Sequence, residues 1–242
     1  MEKKQINDIK GKGRLIRFNI NNNSKIYLKN DELLKFSTEI KNVDSFEKII
    51  GKINDSEFFV QIKYLLYEKE KLKGYSMHFY KDAKNLKQLF NKPLALKKND
   101  CLNIQKVFGF MTENNLHYND VYRKNFMITS SGQLLVADLE SLSDSKTNEL
   151  AVLNQRMAFV LSLSYLYNLE VNEILSLIKN QSTFLVKNNE LIIDYFYNIN
   201  SNSNIKDLLN LISSDDITTN RRELKRSSKI LSKNQYFRKY YY

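Results

Sequence analysis

Residues 116–128 read LHYNDVYRKNFMI, an irregular polar segment bounded by short apolar runs, and residues 134–140 read LLVADLE. The first stretch holds the carboxylate of Asp120 and, five residues later, the carboxamide of Asn125. The second stretch places a further carboxylate, Asp138, directly after an apolar run typical of a short buried strand. Carboxylate and amide oxygens bind Mg²⁺, and a carboxylate can also accept a proton. The three residues are therefore candidates for metal binding and proton transfer.

Transfer of a phosphoryl group needs this set of groups. The protein supplies positioning, a carboxylate that takes the proton of the acceptor hydroxyl, and oxygen ligands for the Mg²⁺ on the polyphosphate. For such a reaction Asp120 is the candidate base, Asn125 the neutral metal ligand and Asp138 the anionic metal ligand. Because an isolated Asp and Asn at this spacing usually form a turn, the prediction depends on all three residues together.

The spacing resembles the catalytic loop of the protein kinase-like superfamily, His-Arg-Asp-x-x-x-x-Asn, which is followed by a strand that ends in a metal-binding Asp. Asp120 and Asn125 match this loop position for position, and Asp138 lies 18 residues beyond Asp120. The resemblance extends from Gly11 to Ala158 and is to short atypical bacterial kinases with Ser/Thr-kinase-like loops. It implies ATP and Mg²⁺ as cofactors. It also implies an α+β, two-lobed protein kinase-like fold, with a small antiparallel sheet and one helix in the N-lobe and a mainly helical C-lobe.

Under this resemblance, residues 1–80 form the N-lobe, which covers the nucleotide. Residues 14–20 and 25–29 alternate between polar and apolar side chains on either side of an Asn-rich turn, which predicts a β-hairpin. The resemblance implies that Gly11 and Gly13 belong to a short phosphate-covering loop. The third glycine of the Gly-x-Gly-x-x-Gly pattern is absent.

The lysine that would bind the phosphates has two candidates. The resemblance assigns the role to Lys29, at the end of the second hairpin strand, and Lys35 competes with it. Glu47 lies 18 residues after Lys29 in a helix predicted to start near Asp44, where it would form the ion pair that fixes the lysine. A solvated residue on the helix surface is the alternative for Glu47.

Residues 74–80 are predicted to form the last N-lobe strand and the hinge to the C-lobe. The resemblance implies that backbone groups of Met77, His78 and Phe79 hold adenine there. Residues 81–242 then form the C-lobe, with helical periodicity in residues 100–111, 149–166, 171–178, 188–197 and 205–212.

The composition limits the class of protein. The chain has 242 residues, of which 42% are hydrophobic, enough for one large domain or two small lobes. No run reaches the roughly 18 to 20 apolar residues of a membrane span, and the first residues lack the apolar region of a secretory signal. A single cysteine excludes an intrachain disulfide, and two histidines are too few for a typical zinc site. We therefore expect a cytoplasmic protein without a membrane span.

The net charge of +11 is concentrated at the C-terminus. Residues 221–242 contain eight Lys or Arg and one Glu, which gives +7, and they also contain five aromatic side chains. Basic and aromatic side chains together can bind an anionic partner such as single-stranded nucleic acid. A solvated chain end is the alternative.

Departures from the kinase pattern bear on the acceptor. Tyr118 and Asn119 replace the usual His and Arg before the base, and that Arg normally meets a phosphorylated activation loop. Asp138-Leu139-Glu140 replaces Asp-Phe-Gly, and its second carboxylate is similar to that of choline, aminoglycoside and lipopolysaccharide kinases. However, the 42 residues from His78 to Asp120 leave no room for the substrate-binding insertion of choline and aminoglycoside kinases.

These observations predict an ATP- and Mg²⁺-dependent kinase that moves the γ-phosphate to a hydroxyl group. Protein Ser/Thr is slightly favoured as the acceptor over a small-molecule hydroxyl such as that of a sugar or amino alcohol. A kinase-like scaffold without catalysis is a further alternative, because the glycine loop is incomplete and Tyr27 stands where a small residue normally faces adenine.

Overall fold

A computed structural model describes residues 1–9, 13–19, 24–37, 40, 42–179, 189–200 and 202–212. The predicted α+β class is confirmed, and the chain divides into two compact units. Unit 1 comprises Met1–Ala83 and Ile128–Asp144, whereas unit 2 comprises Lys84–Met127 and the described part of Ser145–Tyr242. Gly11 and the basic tail at 221–242 lie outside the described residues.

Unit 1 is built on a six-stranded sheet. The strands are β1 (Glu2–Gln5), β2 (Arg14–Asn19), β3 (Ser24–Lys29), β4 (Glu32–Phe36), β5 (Ile62–Glu68) and β6 (Lys71–His78). They lie in the order β1-β5-β6-β4-β3-β2, and all neighbours pair antiparallel except β1 and β5, which are parallel. The predicted hairpin of β2 and β3 is confirmed. The expectation of a purely antiparallel sheet was wrong at β1, because the polar sequence of this strand has no apolar alternation to reveal it.

Helix α1 (Val43–Ile53) is the single α-helix among the described residues of unit 1. The side chain of Asn42 caps it by accepting a hydrogen bond of 2.9 Å from Ser45 N. Phe46, Ile49, Ile50 and Ile53 are buried. The apolar periodicity of the sequence therefore predicted both the helix and its buried face.

The remaining elements follow in chain order: β7 (Lys84–Asn85), α2 (Leu94–Glu113), β8 (Leu116–Tyr118), β9 (Phe126–Ile128), β10 (Leu134–Val136), β11 (Leu142–Asp144), α3 (Leu150–Tyr167), α4 (Val171–Lys179), α5 (Asn189–Tyr197) and α6 (Ile205–Leu211). Helices α2 and α3 pack against each other in unit 2 and contribute fully buried side chains such as Ile104, Phe108 and Leu161. Among the described residues, no helix combines the length and the apolar character that crossing a bilayer requires.

The segment Ile128–Asp144 clusters with the first 83 residues. Main-chain bonds explain this, because Val136 N donates to Phe58 O at 2.9 Å and Val60 N donates to Val136 O at 3.1 Å. Strand β10 is therefore tied to the chain just before β5, and the segment brings Asp138 into unit 1.

Candidate functional site

A cluster of one lysine, two carboxylates and one tyrosine lies within unit 1. Lys35 Nζ lies 2.5 Å from Asp138 Oδ1 and also contacts Glu140 Oε2. The hydroxyl of Tyr75 donates to the same Glu140 oxygen at 2.9 Å. The side chains of Lys35 and Glu140 are 9% and 2% exposed, whereas that of Asp138 is 25% exposed. We call Lys35, Tyr75, Asp138 and Glu140 the lysine cluster.

The strand pairing of the sheet brings the lysine cluster together. Lys35 lies in β4 directly opposite Tyr75 in β6, so the two side chains stand next to each other on one face. The neighbouring residue of β6, Gly74, has no side chain, and a Cβ built there would lie 1.9 Å from the main-chain oxygen of Lys35. Glycine is therefore required at position 74 for β6 to approach β4 this closely.

The charges of the lysine cluster shift its pKa values. Burial alone would lower the pKa of Lys35, but the negative charges of Glu140 and Asp138 outweigh it and raise that pKa. Burial raises the pKa of Glu140 despite the opposing charge of Lys35, and the nearby Asp138 adds to the increase. Burial, followed by the charge of Glu140, raises the pKa of Tyr75 well above its usual value. Tyr75 is therefore a neutral hydroxyl donor.

Two carboxylates outnumber one ammonium in this cluster. Glu140 Oε1 is buried and has no hydrogen-bond partner among the described residues, which is costly for a carboxylate oxygen. The partly exposed Asp138 is the member of the cluster that solvent reaches. The cluster can therefore take up one further positive charge.

The Asp120-to-Asn125 segment forms a closed loop in unit 2. Asn125, 6% exposed, donates through Nδ2 to the main-chain oxygen of Asp120 at 2.9 Å and to its Oδ2 at 2.8 Å. Neither bond uses the carboxamide Oδ1, which is the atom that ligates cations. The five-residue spacing seen in the sequence thus corresponds to a direct contact between the candidate base and the candidate amide ligand.

Two residues that the sequence did not single out support this loop. Asn154, fully buried in α3, donates to Leu116 O at 3.0 Å, and its Oδ1 lies 3.3 Å from His117 Nδ1. Arg123, 3% exposed, donates to Asn168 and, at 3.1 Å, to Glu170. A polar residue within a strongly apolar helix was the available signal for Asn154. Burial lowers the pKa of His117, as expected for a structural histidine.

Lys29 and Glu47 are not members of the lysine cluster, and their neighbours are different. Lys29 ends β3 and pairs in register with Glu32 of β4. Glu47 lies 2.5 Å from Lys3 and also accepts a hydrogen bond from Tyr67. The lysine in contact with the acidic residue after β10 is Lys35, the competing candidate.

Gly13 adopts a backbone conformation that favours glycine. Its φ is +77°, and a Cβ built there would lie 2.3 Å from the main-chain oxygen of Leu28. The residue therefore lies directly against strand β3 just before Lys29. A role of Gly13 in covering phosphates stays a prediction.

The expected adenine-binding backbone is already hydrogen-bonded within unit 1. His78 N donates to Gln61 O at 3.0 Å, and Phe79 N donates to Asp31 O at 3.1 Å. Met77 is buried and pairs with Leu33 in β4. Adenine would have to displace these bonds or use carbonyl groups, and its contact with Met77, His78 and Phe79 stays a prediction.

The donor groups fit a magnesium ion that is held together with a polyphosphate. No group of three or more His, Cys, Asp or Glu side chains in the described part of the chain could hold a metal ion by itself. Mg²⁺ commonly binds one or two carboxylates and completes its shell with phosphate oxygens and water. Asp138, beside the unpartnered Oε1 of Glu140, matches this pattern.

Comparison with known proteins gives no match, either with a family model or with a curated sequence. The functional interpretation therefore depends on the side chains described above and on the spacing of the motif.

Proposed function

We propose that this chain is an ATP- and Mg²⁺-dependent phosphotransferase of the protein kinase-like superfamily, which moves the γ-phosphate to a hydroxyl acceptor. The observation that carries the proposal is the contact between Lys35 and Asp138. Phosphoryl transfer requires a lysine that neutralises phosphate charge and a carboxylate that holds the metal. A sheet lysine that contacts the Asp after β10 supplies this pair.

The proposal gives each residue one role. Lys35, rather than Lys29, binds the phosphates, because Lys35 is the lysine with acidic partners at positions 138 and 140. Asp138 would supply a carboxylate ligand for the magnesium ion, which neutralises charge on the phosphates when it is bound. Asp120 accepts the proton of the acceptor hydroxyl, and the amide of Asn125 orients its carboxylate.

We also propose that the two units correspond to the lobes of a kinase-like fold. The six-stranded sheet with α1 in unit 1 supports a small lobe, and α2 to α6 in unit 2 support a large helical lobe. Between His78 and Asp120 the chain forms β7, α2 and β8, and no further helix or strand, which supports the absence of a substrate-binding insertion. The proposed acceptor is therefore the hydroxyl of a protein Ser or Thr, with a small-molecule hydroxyl as the alternative.

A nucleotide-binding scaffold without catalysis is the second candidate. The main-chain N–H groups of His78 and Phe79 favour it, because both already donate within the chain. A nucleotide held without these two donors would be bound weakly or in a different orientation. An active phosphotransferase would transfer phosphate from ATP and a scaffold would not, whereas both would bind the nucleotide.

A two-step experiment tests the proposal. Thermal unfolding is first measured with ATP in the presence of Mg²⁺ or of a chelator, since a ligand at 100 times its Kd stabilises a protein by about 2.7 kcal/mol. Transfer from γ-labelled ATP is then measured by autophosphorylation and on a fractionated lysate. Asp120→Asn should retain the stabilisation and lose transfer by about 100-fold or more. Asp138→Asn should lose the stabilisation that depends on Mg²⁺.

The control is Asp55→Asn, because Asp55 is an exposed carboxylate of unit 1 outside the lysine cluster. It should behave as the wild type in both assays. Stabilisation without transfer to any acceptor would favour the scaffold, and wild-type protein with neither property would overturn the proposal.

A further inference from the structure

Lys35 is paired with a glutamate from the segment after β10. In the protein kinase-like superfamily, which the motif of this chain resembles, the lysine that binds the phosphates is fixed by a glutamate on the N-lobe helix. Here α1 carries Glu47, whereas the glutamate in contact with Lys35 is Glu140.

We propose that Glu140 is the positioning residue that holds Lys35 where it can bind the phosphates, and that the site assembles without a movement of α1. This inference rests on the proposed function. The first argument is the fixed orientation of Glu140. Its side chain is 2% exposed, and its Oε2 receives both the ammonium of Lys35 and the hydroxyl of Tyr75. Tyr75 is itself fully buried, so Glu140 cannot turn away from Lys35 without breaking two contacts.

The second argument is that Glu47 is engaged elsewhere in unit 1. It pairs with Lys3 of β1 at 2.5 Å and accepts a hydrogen bond from Tyr67 of β5. The bond from Lys3 has the larger effect on the pKa of Glu47, the bond from Tyr67 adds to it, and both lower that pKa. Glu47 therefore stays charged in this environment. Glu47 therefore ties α1 to the strands β1 and β5.

The consequence concerns regulation. Where the glutamate lies on a mobile helix, displacing that helix separates the ion pair and switches the enzyme off. Here the metal carboxylate and the positioning carboxylate are only two residues apart, at Asp138 and Glu140. Both contact the same ammonium, so neither carboxylate paired with Lys35 lies on α1. We therefore expect a site that is assembled constitutively.

The test compares ATP affinity in two glutamate variants, with Mg²⁺ and with a chelator. A residue that acts through Lys35 affects ATP binding under both conditions, whereas a pure metal ligand affects it only with Mg²⁺. Glu140→Gln should weaken ATP binding by about 10- to 100-fold under both conditions, the usual effect of losing an outer-shell partner. Glu140→Asp should restore part of the affinity. The matched control is Glu32→Gln, because Glu32 also accepts from a tyrosine hydroxyl, that of Tyr64, and should leave ATP affinity unchanged.

A double-variant cycle tests whether Glu140 acts through Lys35. ATP binding to Lys35→Met/Glu140→Gln should be no weaker than to Lys35→Met alone. If Glu140→Gln does not fold, Tyr75→Phe removes one bond to Glu140, keeps the ring and should weaken ATP binding about two- to tenfold.

Unchanged ATP affinity in Glu140→Gln would overturn the inference, as would unchanged affinity in Tyr75→Phe where Glu140→Gln does not fold. A loss of affinity confined to the Mg²⁺ condition, or additive losses in the double variant, would also overturn it. So would a larger loss of ATP affinity in Glu47→Gln than in Glu140→Gln. Wild-type protein that binds no ATP would instead overturn the proposed function, on which the inference rests.

Discussion

Lys35 Nζ lies 2.5 Å from Asp138 Oδ1, although 103 residues separate the two in the chain. The contact depends on β4 at the centre of the sheet and on the tie between β10 and the chain before β5. It therefore forms only when unit 1 has folded. Loss of this contact should lower both the free energy of unfolding and the affinity for nucleotide.

Replacing Lys35 by Met should destabilise the protein by about 3 kcal/mol, because removing one partner of a buried ion pair leaves the other charge uncompensated. Urea unfolding at pH 7 measures this, and ATP affinity should fall in the same variant. Lys29→Met is the comparison, since Lys29 lies at the end of β3 and is less buried than Lys35. Equal losses of ATP affinity in the two variants would contradict the assignment of the phosphate lysine to Lys35.

The sequence predicted the local elements of this fold better than its long-range contacts. Apolar periodicity identified α1 and the hairpin of β2 and β3, because both depend on residues close together in the chain. The parallel pairing of β1 with β5 joins residues about 60 positions apart in a polar strand, for which there is no local signal.

In the candidate site, too, contacts between residues close together in the chain were easier to predict than contacts between distant residues. The contact between Asp120 and Asn125 was predictable, since a five-residue spacing fixes it locally. The choice between Lys29 and Lys35 was not, because it depends on which strand faces Asp138. Likewise, side-chain identity cannot reveal that the amide of His78 is already bonded to Gln61 O.

Gly74→Ala should destabilise unit 1 and disturb the lysine cluster. The added Cβ would lie 1.9 Å from the main-chain oxygen of Lys35, so β4 and β6 must separate. Overpacking of this kind costs about 1–3 kcal/mol. Gly109→Ala in α2 is the matched control, because a Cβ there meets nothing within 4 Å and should stabilise the helix by up to about 1 kcal/mol. Denaturation midpoints that shift in the same direction for both variants would contradict this explanation.

Asn154→Leu should destabilise the protein by about 1–3 kcal/mol, the cost of leaving a buried acceptor without its donor. Asn154 is fully buried, and its Nδ2 is bonded to Leu116 O and to Thr112 Oγ1, both at 3.0 Å. Thr112→Val keeps the bond to Leu116 O, removes the second contact together with the bond from Thr112 Oγ1 to Phe108 O, and should cost less. Urea unfolding of both variants measures the difference, and an unchanged stability of Asn154→Leu would show that the bond to Leu116 O is unimportant.

The ion pairs between α1 and β11 should make stability depend on pH at the acidic end. Asp144 lies 2.7 Å from Lys48 and 3.0 Å from Lys52, and the hydrogen bonds from these lysines, that from Lys48 first, lower its pKa to about 2. Because the folded pKa lies below the value of about 3.9 in unfolded chains, the contribution is fully present above about pH 5. It is progressively lost as the pH falls through the folded pKa of about 2, and Asp144 is protonated in both states only below that pH.

Asp144→Asn removes this contribution and provides the test. The difference in unfolding free energy between wild type and variant should be constant from pH 5 to 7 and should be mostly lost near pH 2. Salt at about 1 M should reduce the difference at pH 7, since partly exposed charges are screened. A difference as large at pH 2 as at pH 7 would mean that Asp144 stabilises α1 through something other than its charge.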